Sequence, residues 1–265
     1  MRLISLAAGV LPEHSPEAVV EAGAAAGFRA VGLRIDGQAW SAERLAALSK
    51  RIEELDLIVL DAEVLWIGPG ETGERLLELV DVAVALKARN LLVVSSDPDH
   101  HATAAIFGAI CDRAAPAGLP VSLEFGHFSA VHRLADAAAI VVEAGRPNGH
   151  VLIDPLHLSR SLGAPEDVAS LPAALFNYAQ FCDAGPDAPQ PNDVPAIREE
   201  ALDGRLMPAE GILPLQPLLQ RLKPGLPVSI ELRSQALRDA FPDPVARARH
   251  VREGTEAWLV AHDAA

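Results

Sequence analysis

Short, almost wholly apolar segments alternate with helix-like segments along the entire sequence. A strand that is apolar throughout is typical of a parallel sheet whose two faces are both covered. Eight strand–helix pairs in 265 residues give one unit per about 33 residues, which is the rhythm of a (β/α)8 barrel. The predicted strands are residues 3–8, 30–35, 57–65, 90–95, 119–127, 151–154, 178–182 and 228–232. The sequence therefore predicts an α/β fold of the (β/α)8 TIM-barrel type.

A doubly wound parallel sheet would show the same alternation, so it is the main rival fold. It should carry a glycine-rich phosphate turn after the first strand. Here residues 7–12 read Ala-Ala-Gly-Val-Leu-Pro and lack the Gly-x-Gly-x-x-Gly pattern. No linker-like composition divides the chain, so one domain over residues 1–265 is expected.

Local signals mark several helix ends. Ser15 followed by Pro16 predicts a helix start, and Gly27 predicts its end. Asp99 is the expected N-cap of the fourth helix. Further helices are predicted over 129–144, 165–171, 196–202, 212–222 and 244–260, and Pro217 is expected to kink the fourth of these.

Composition excludes several classes of partner. The formal net charge of −14 argues against nucleic-acid and anionic-membrane binding. No stretch is long and apolar enough to span a membrane. The apolar N-terminus breaks at Pro12, which favours a first strand over a signal peptide. Two cysteines without Cys-x-x-Cys spacing suit a reducing compartment, so a cytoplasmic location is expected.

Four predicted strands end in oxygen-bearing side chains. These are Glu124, Asp154, Gln180 and Glu231, on strands five to eight. A buried carboxylate without a partner is costly, and the catalytic face of a barrel is at the strand C-termini. Oxygen ligands from neighbouring strand ends suit one divalent cation, Mn²⁺ or Mg²⁺ better than Zn²⁺. For any one of them alone, pairing with an arginine or a helix N-terminus is the competing explanation.

Four further residues are candidates for contacts to a small-molecule substrate. His157 lies three residues beyond Asp154, where it would contact substrate or orient a ligand. Arg205, in the loop after strand seven, is a cation for an oxyanion or hydroxyl. Glu63 ends strand three and would line the pocket or pair in the core. Glu210 would bond Arg205, close its loop or begin a helix.

An ordered set of motifs carries a family resemblance. It comprises Leu-Glu-Phe at 123–125, Val-Leu-Ile-Asp-Pro-Leu-His-Leu-Ser-Arg at 151–160, Gln-Phe-Cys-Asp at 180–183, Arg-Leu-Met-Pro-Ala-Glu-Gly at 205–211 and Ile-Glu-Leu at 230–232. This set resembles the xylose isomerase-like TIM barrels, the sugar phosphate isomerase/epimerase superfamily. The resemblance is clear from strand five onward and looser before it.

The resemblance implies specific roles. In the ketose 3-epimerases of this superfamily, the positions of Glu124, Asp154, Gln180 and Glu231 hold one divalent ion. The positions of His157 and Arg205 contact substrate there. Two departures stand out: the ligand at position 180 is usually His, and Ala209 replaces a glycine. A Gln at position 180 resembles some bacterial 3-dehydroshikimate dehydratases. The endonuclease IV branch has a His-rich multi-zinc site, which this acidic sequence lacks.

The leading functional hypothesis is a metal-dependent isomerase or epimerase of a sugar or sugar-like hydroxy-ketone. Glu124 and Glu231 would move a proton next to the carbonyl, through an enediolate that Arg205 stabilises, while His157 holds a hydroxyl. A lyase of the dehydroshikimate dehydratase type would use the same residues. A non-catalytic sugar-binding barrel is the third hypothesis, and a homo-oligomer is compatible with the sequence.

Overall fold

The computed structural model describes residues 2–262 and shows eight parallel strands wrapped by helices. This confirms the predicted TIM-barrel fold. The strands are β1 (Ile4–Leu6), β2 (Ala30–Arg34), β3 (Ile58–Ile67), β4 (Leu91–Ser95), β5 (Val121–Leu123), β6 (Gly149–Val151), β7 (Ala179–Phe181) and β8 (Val228–Ile230). Seven neighbouring pairs are parallel ladders in the order β6-β5-β4-β3-β2-β1-β8-β7.

A much smaller contact closes the barrel between β6 and β7. Ile153 and Ala179 form an isolated parallel bridge, and the Gln180 backbone N–H donates to the Ile153 carbonyl at 2.8 Å. The residues that follow β6 therefore complete the ring of strands. This seam lies directly beside Asp154 and Gln180, two of the predicted site residues.

The helices follow the strands along the chain, and the last two come after β8. They are α1 (Pro16–Ala26), α2 (Ala42–Glu54), α3 (Glu74–Ala85), α4 (His100–Ala114), α5 (Leu134–Ala144), α6 (Pro155–Arg160), α7 (Pro165–Ala169), α8 (Val194–Asp203), α9 (Leu215–Arg221), α10 (Gln235–Ala240) and α11 (Pro244–His262). Ser15 caps α1 and Asp99 caps α4, as predicted, and Gly27 ends α1 in the left-handed region at φ 88°.

Two helix predictions were wrong in detail. The helix expected from Ser129 begins at Leu134, because the Ser129 hydroxyl instead closes a turn by bonding the carbonyls of Gly126 and Val131. Pro217 produces no kink, since α9 begins at Leu215 and the proline lies in its first turn, where backbone N–H groups have no helical partner. The helices α6 and α10 were not predicted.

Two apolar layers form the core. The larger lies between the sheet and the helices and includes Val151 and Ile153. The smaller fills the barrel interior and consists of Ala30, Leu60, Leu92, Val94, Leu152 and Tyr178. Side chains alternate between these layers because successive strand residues point to opposite faces. Within residues 2–262, no helix combines the length and hydropathy that a membrane crossing requires.

Candidate active site

A cavity of about 410 Å³ opens at the C-terminal end of the strands, the face where barrel enzymes carry their active sites. Its lining is Arg34, Asp36, Glu63, Val64, Trp66, Leu92, Val94, Glu124, Phe128, His157, Gln180, Arg198, Ala201, Leu202, Arg205, Glu231 and Arg233. We call this the central cavity. Six of the predicted site residues therefore line one cavity: Glu63, Glu124, His157, Gln180, Arg205 and Glu231. Asp154 is not among the lining residues and pairs with Arg205.

Strand alternation explains why the polar ends meet there. Leu152 and Tyr178 belong to the barrel interior, while their neighbours Ile153 and Ala179 belong to the outer layer. Two residues further along each chain segment, the inward positions are Asp154 and Gln180. Glu124 and Glu231 occupy the same level after β5 and β8, following the inward-facing Ser122 and Ser229. All four are buried.

Asp154 is held by local structure. The chain leaves the barrel wall and enters α6 at once, with Asp154 as N-cap and Pro155 at the first helical position. The Asp154 Oδ1 atom accepts from the backbone N–H groups of Leu156 at 2.7 Å and His157 at 3.2 Å. Proline fits at this first helical position because a backbone N–H there would have no acceptor within the helix. This cap also places His157 in the first turn of α6, against the cavity.

Arg205 forms a buried ion pair with the other oxygen of Asp154. Its Nη1 atom donates to Asp154 Oδ2 at 2.6 Å and contacts Cys182 Sγ at 3.1 Å. The Arg205 side chain is 4% exposed and the Asp154 side chain 0%. Its Nη2 atom lies 3.3 Å from His157 Nε2. A guanidinium can only donate, so Nε2 is the acceptor and the imidazole is neutral.

Glu124, Asp154 and His157 form a compact cluster with ligand atoms within 4.8 Å of one another, which could hold a metal ion. His157 Nε2 lies 3.7 Å from Glu124 Oε1. The Gln180 amide lies between Asp154 Oδ2 and Glu124 Oε1. When the amide nitrogen points toward these two oxygens, it donates to Asp154 Oδ2 at 3.0 Å and to Glu124 Oε1 at 2.9 Å. In the opposite orientation the amide oxygen points toward them instead.

Glu231 also lines the cavity but is not a member of this cluster, and it pairs with Arg233. Arg233 Nε donates to Glu231 Oε1 at 2.9 Å, while Glu231 Oε2 is buried without a hydrogen-bond partner. A buried carboxylate oxygen in that state is a strong candidate to receive a cation or a substrate proton. Arg233 lies only three residues beyond the end of β8, yet the sequence analysis did not select it.

Glu63 and Glu210 have different surroundings. Glu63 is buried in the central cavity, whereas Glu210 is exposed and lies outside it. Glu210 Oε2 accepts from the Met207 backbone N–H at 3.1 Å, so it closes its own loop. That contact is the loop-closing alternative of the sequence analysis, and Arg205 turns to Asp154 instead.

Burial dominates the proton affinities of the site. It raises the pKa of Glu124 well above its ordinary value, and the negative charge of Asp154 adds to the effect. It raises the pKa of Glu63 in the same way, with Glu231 and Asp61 adding. For Asp154, burial is outweighed by Arg205 and His157, which keep its pKa below the ordinary value. Burial also lowers the pKa of His157 to about 4.

Aromatic residues complete the cavity, and sequence reasoning did not select them. The Phe128 ring packs against His157 with 4.5 Å between centroids, and Trp66 meets Phe128 edge-on at 6.1 Å. Trp66 is 40% exposed although its indole N–H is bound to Ser96 Oγ. In a chain with 4% aromatic residues, an aromatic residue at or after a strand end was the available signal. Trp66 is the next-to-last residue of β3, and Phe128 follows β5.

Solved structures similar to this one show the same fold. The IOLI protein with a zinc atom has a TM-score of 0.83 at 16% identity, with 99% of each chain covered. D-psicose 3-epimerase has 0.72 at 14%, covering 98% of this chain and 99% of that one. The probable 3-DHS dehydratase AsbF from Bacillus anthracis has 0.70 at 15%, covering 95% and 99%.

The chain also matches a xylose isomerase-like TIM barrel/4-hydroxyphenylpyruvate dioxygenase fusion protein, of which it spans 42%. No curated protein sequence matches it significantly. The family model described as xylose isomerase-like TIM barrel matches residues 20–259. With the barrel and its C-terminal cavity, that match shows that the chain belongs to the xylose isomerase-like TIM barrel family.

Proposed function

We propose that this protein is a divalent-metal-dependent isomerase or epimerase of a sugar or sugar-like hydroxy-ketone. The observation that carries the proposal is that Glu124 and Glu231 both line the central cavity and that one oxygen of Glu231 has no hydrogen-bond partner. Proton transfer at carbon needs an acid–base group within reach of the substrate, and two such groups can serve two faces or two carbons.

Glu124, Asp154, Gln180 and Glu231 would hold the ion, for which Mn²⁺ or Mg²⁺ suits the oxygen donors. Of this set, Glu124 and Asp154 support the fit because they lie with His157 in the compact cluster. Glu231 is not a member of that cluster, but its unpartnered Oε2 atom is free to accept a cation. Arg205 competes with it, because its guanidinium already occupies Asp154 Oδ2 and the His157 Nε2 lone pair. The Asp154 carboxylate would therefore have to interact with both the ion and the Arg205 guanidinium. The zinc atom of the IOLI protein keeps zinc among the candidates.

The protein's own residues would carry the proton. When bound, the ion supplies a Lewis acid that acidifies the C–H bond next to a substrate carbonyl. Glu231 and Glu124 would remove and return that proton from opposite sides. Arg205, buried beside Asp154, would donate a hydrogen bond to the substrate oxygen on which negative charge develops. His157, neutral and fixed by the Phe128 ring, would hold a hydroxyl.

The names of two similar proteins support reactions of this kind, one an epimerase and one a probable dehydratase. A dehydration of the 3-dehydroshikimate dehydratase type is accordingly the second candidate, and Gln180 in place of the usual His favours it. In that reaction the same carboxylates would remove the proton, and a β-hydroxyl would leave with a proton from His157 or a glutamate.

Exchange of substrate hydrogen with D2O tests the proposal. Purified protein is analysed for bound metal and then incubated with D-fructose or with 3-dehydroshikimate in D2O, with Mn²⁺ present. Deuterium at a ketose carbon supports the isomerase, and the absorbance of an aromatic product supports the dehydratase. Bound metal without exchange or elimination on any ketose or keto acid tested would favour a non-catalytic binding protein.

A further inference from the structure

The central cavity is lined by arginines and carboxylates in equal number, whereas acidic residues outnumber basic ones in the chain as a whole. The protein has 22 Lys and Arg against 36 Asp and Glu. The lining has four carboxylates, on Asp36, Glu63, Glu124 and Glu231, and no lysine among the described residues. It also has four arginines, namely Arg34, Arg198, Arg205 and Arg233. Arginine is the residue best suited to bind carboxylate and phosphate groups, because its donors form a planar fork.

Three of these arginines already have a carboxylate partner. Arg205 pairs with Asp154 and Arg233 with Glu231. Arg34 forms a two-point pair with Asp36, at 2.8 and 3.1 Å. Arg198 is different, because it has no ion pair or side-chain hydrogen bond within residues 2–262. Among the described residues it is thus the one lining arginine without a carboxylate partner, and its side chain is exposed.

Arg198 lies on the side of helix α8 that lines the cavity. Arg198, Ala201, Leu202 and Arg205 all line it, and their spacing of three and four residues places them on one side of the helix and its end. The Arg205 backbone N–H donates to the Arg233 carbonyl at 3.0 Å, so this end of α8 runs beside Arg233. Of the Arg233 guanidinium, only Nε is hydrogen-bonded within residues 2–262.

Another part of the lining is apolar. Val64, Trp66, Leu92, Val94 and Phe128 come from β3, β4 and the loop after β5. These side chains offer few hydrogen-bond partners to a molecule that carries hydroxyl groups on every side. A ligand that fits the whole cavity would place polar and charged groups toward α8 and Arg233 and a less polar face toward Trp66.

We propose that the substrate of this site carries a carboxylate or phosphate group, and that Arg198, together with the terminal nitrogens of Arg233, binds it. This inference rests on the proposed function, because it assumes that the reacting carbons lie between Glu124 and Glu231. It narrows the substrate class to anionic hydroxy-ketones, such as polyhydroxy keto acids or sugar phosphates.

Two pairs of inert probes that differ in charge test this. D-gluconate is compared with D-gluconamide, and D-glucitol 6-phosphate with D-glucitol, by calorimetric titration with and without Mn²⁺. The variants are Arg198→Gln and, as a matched control, Arg221→Gln, which changes an exposed arginine on α9 outside the cavity. We expect one anionic probe to bind on the order of tenfold or more tightly than its neutral partner. Arg198→Gln should remove that preference and Arg221→Gln should keep it.

The outcomes separate the anion site from the metal site. The probe pair that shows the preference identifies carboxylate or phosphate as the natural group. A preference that survives Arg198→Gln, or that exists only with Mn²⁺, would assign the anion to the ion and overturn the inference. Equal binding of charged and neutral probes would also overturn it. Failure of the proposed function would appear separately, as absence of bound metal or of deuterium exchange with the anion preference intact.

Discussion

The two halves of the barrel end in different chemistry. At the C-terminal ends of β5 to β8 the inward side chains are acidic or amide groups, and each is held by a specific partner. At the ends of β1 to β4 the cavity is lined by the apolar side chains of Val64, Trp66, Leu92 and Val94 and by the partly exposed Arg34–Asp36 ion pair. Glu63 is the buried carboxylate among the described lining residues of this half.

This difference indicates that one half of the barrel serves catalysis and the other serves ligand binding. Fixed charges in a buried setting can stabilise developing charge without moving, which is the requirement for catalysis. Apolar surfaces contribute shape and burial of ligand area, which govern binding. We therefore expect changes in the second half to affect rate and stability strongly, and changes in the first half to affect affinity or pH response.

The largest effect should come from Glu231→Gln. This change keeps the shape of the side chain but removes its capacity to accept a proton, so exchange of substrate hydrogen with D2O should fall on the order of 10²–10⁴-fold. NMR of the exchanging substrate measures the rate, and elemental analysis measures bound metal. Glu166→Gln, on an exposed part of α7, is the matched control. Undiminished exchange in Glu231→Gln would refute the assignment of catalysis to the second half.

Asp154→Asn should destabilise the protein strongly. Asparagine can still cap α6, but it leaves the Arg205 charge buried without a counter-ion, at a cost of roughly 3–5 kcal/mol. The comparison is Asp36→Asn, which breaks the more exposed Arg34 pair, for which we expect a cost below about 1 kcal/mol. Urea denaturation with EDTA present gives both values. Similar losses in the two variants would show that the halves do not differ in this respect.

Glu63→Gln tests how the buried carboxylate of Glu63, in the first half of the barrel, makes stability depend on pH. The pKa of Glu63 is raised by burial and then by Glu231 and Asp61. The folded state therefore holds a proton that the unfolded state releases above pH 4.5, and stability declines as pH rises toward the folded pKa. Glutamine needs no proton. The variant should gain stability relative to the wild type by up to about 1.4 kcal/mol per pH unit above that point.

Urea denaturation at pH 4.5, 6 and 8 without metal measures this difference. The structure predicts the smallest gap between wild type and Glu63→Gln at pH 4.5 and the largest at pH 8. A gap of constant size would mean that Glu63 ionises normally in the fold. Glu63 would then be an ionised carboxylate, like the charged residues at the ends of β5 to β8.

The smallest effect should come from Trp66→Leu. The exposed indole face is available to a ligand, and its loss should weaken binding by roughly 0.5–1.5 kcal/mol. We expect KM for the substrate identified by deuterium exchange to rise while kcat changes little. A thermal melt checks that the fold is retained. A large fall in kcat at constant KM would show that the apolar side of the cavity takes part in the chemical step.

Much of the architecture follows from local sequence. The eight apolar segments and the caps at Ser15, Gly27 and Asp99 predicted the barrel and several helix ends, because these signals act within one turn of the chain. The missed helix α6 also had a local signal in Asp154-Pro155. It was overlooked because Asp154 had been assigned to a strand end, although one residue can end a strand and cap a helix.

The sequence by itself determined which side chains face the barrel mouth, because alternation along a strand depends only on neighbouring residues. Glu124, Asp154, Gln180 and Glu231 follow from that rule. The tertiary structure alone decided their partners. Arg205 reaches Asp154 across 51 positions of sequence. Which cation meets which carboxylate depends on distance and burial in three dimensions, and these exist only after the strands have closed into a barrel.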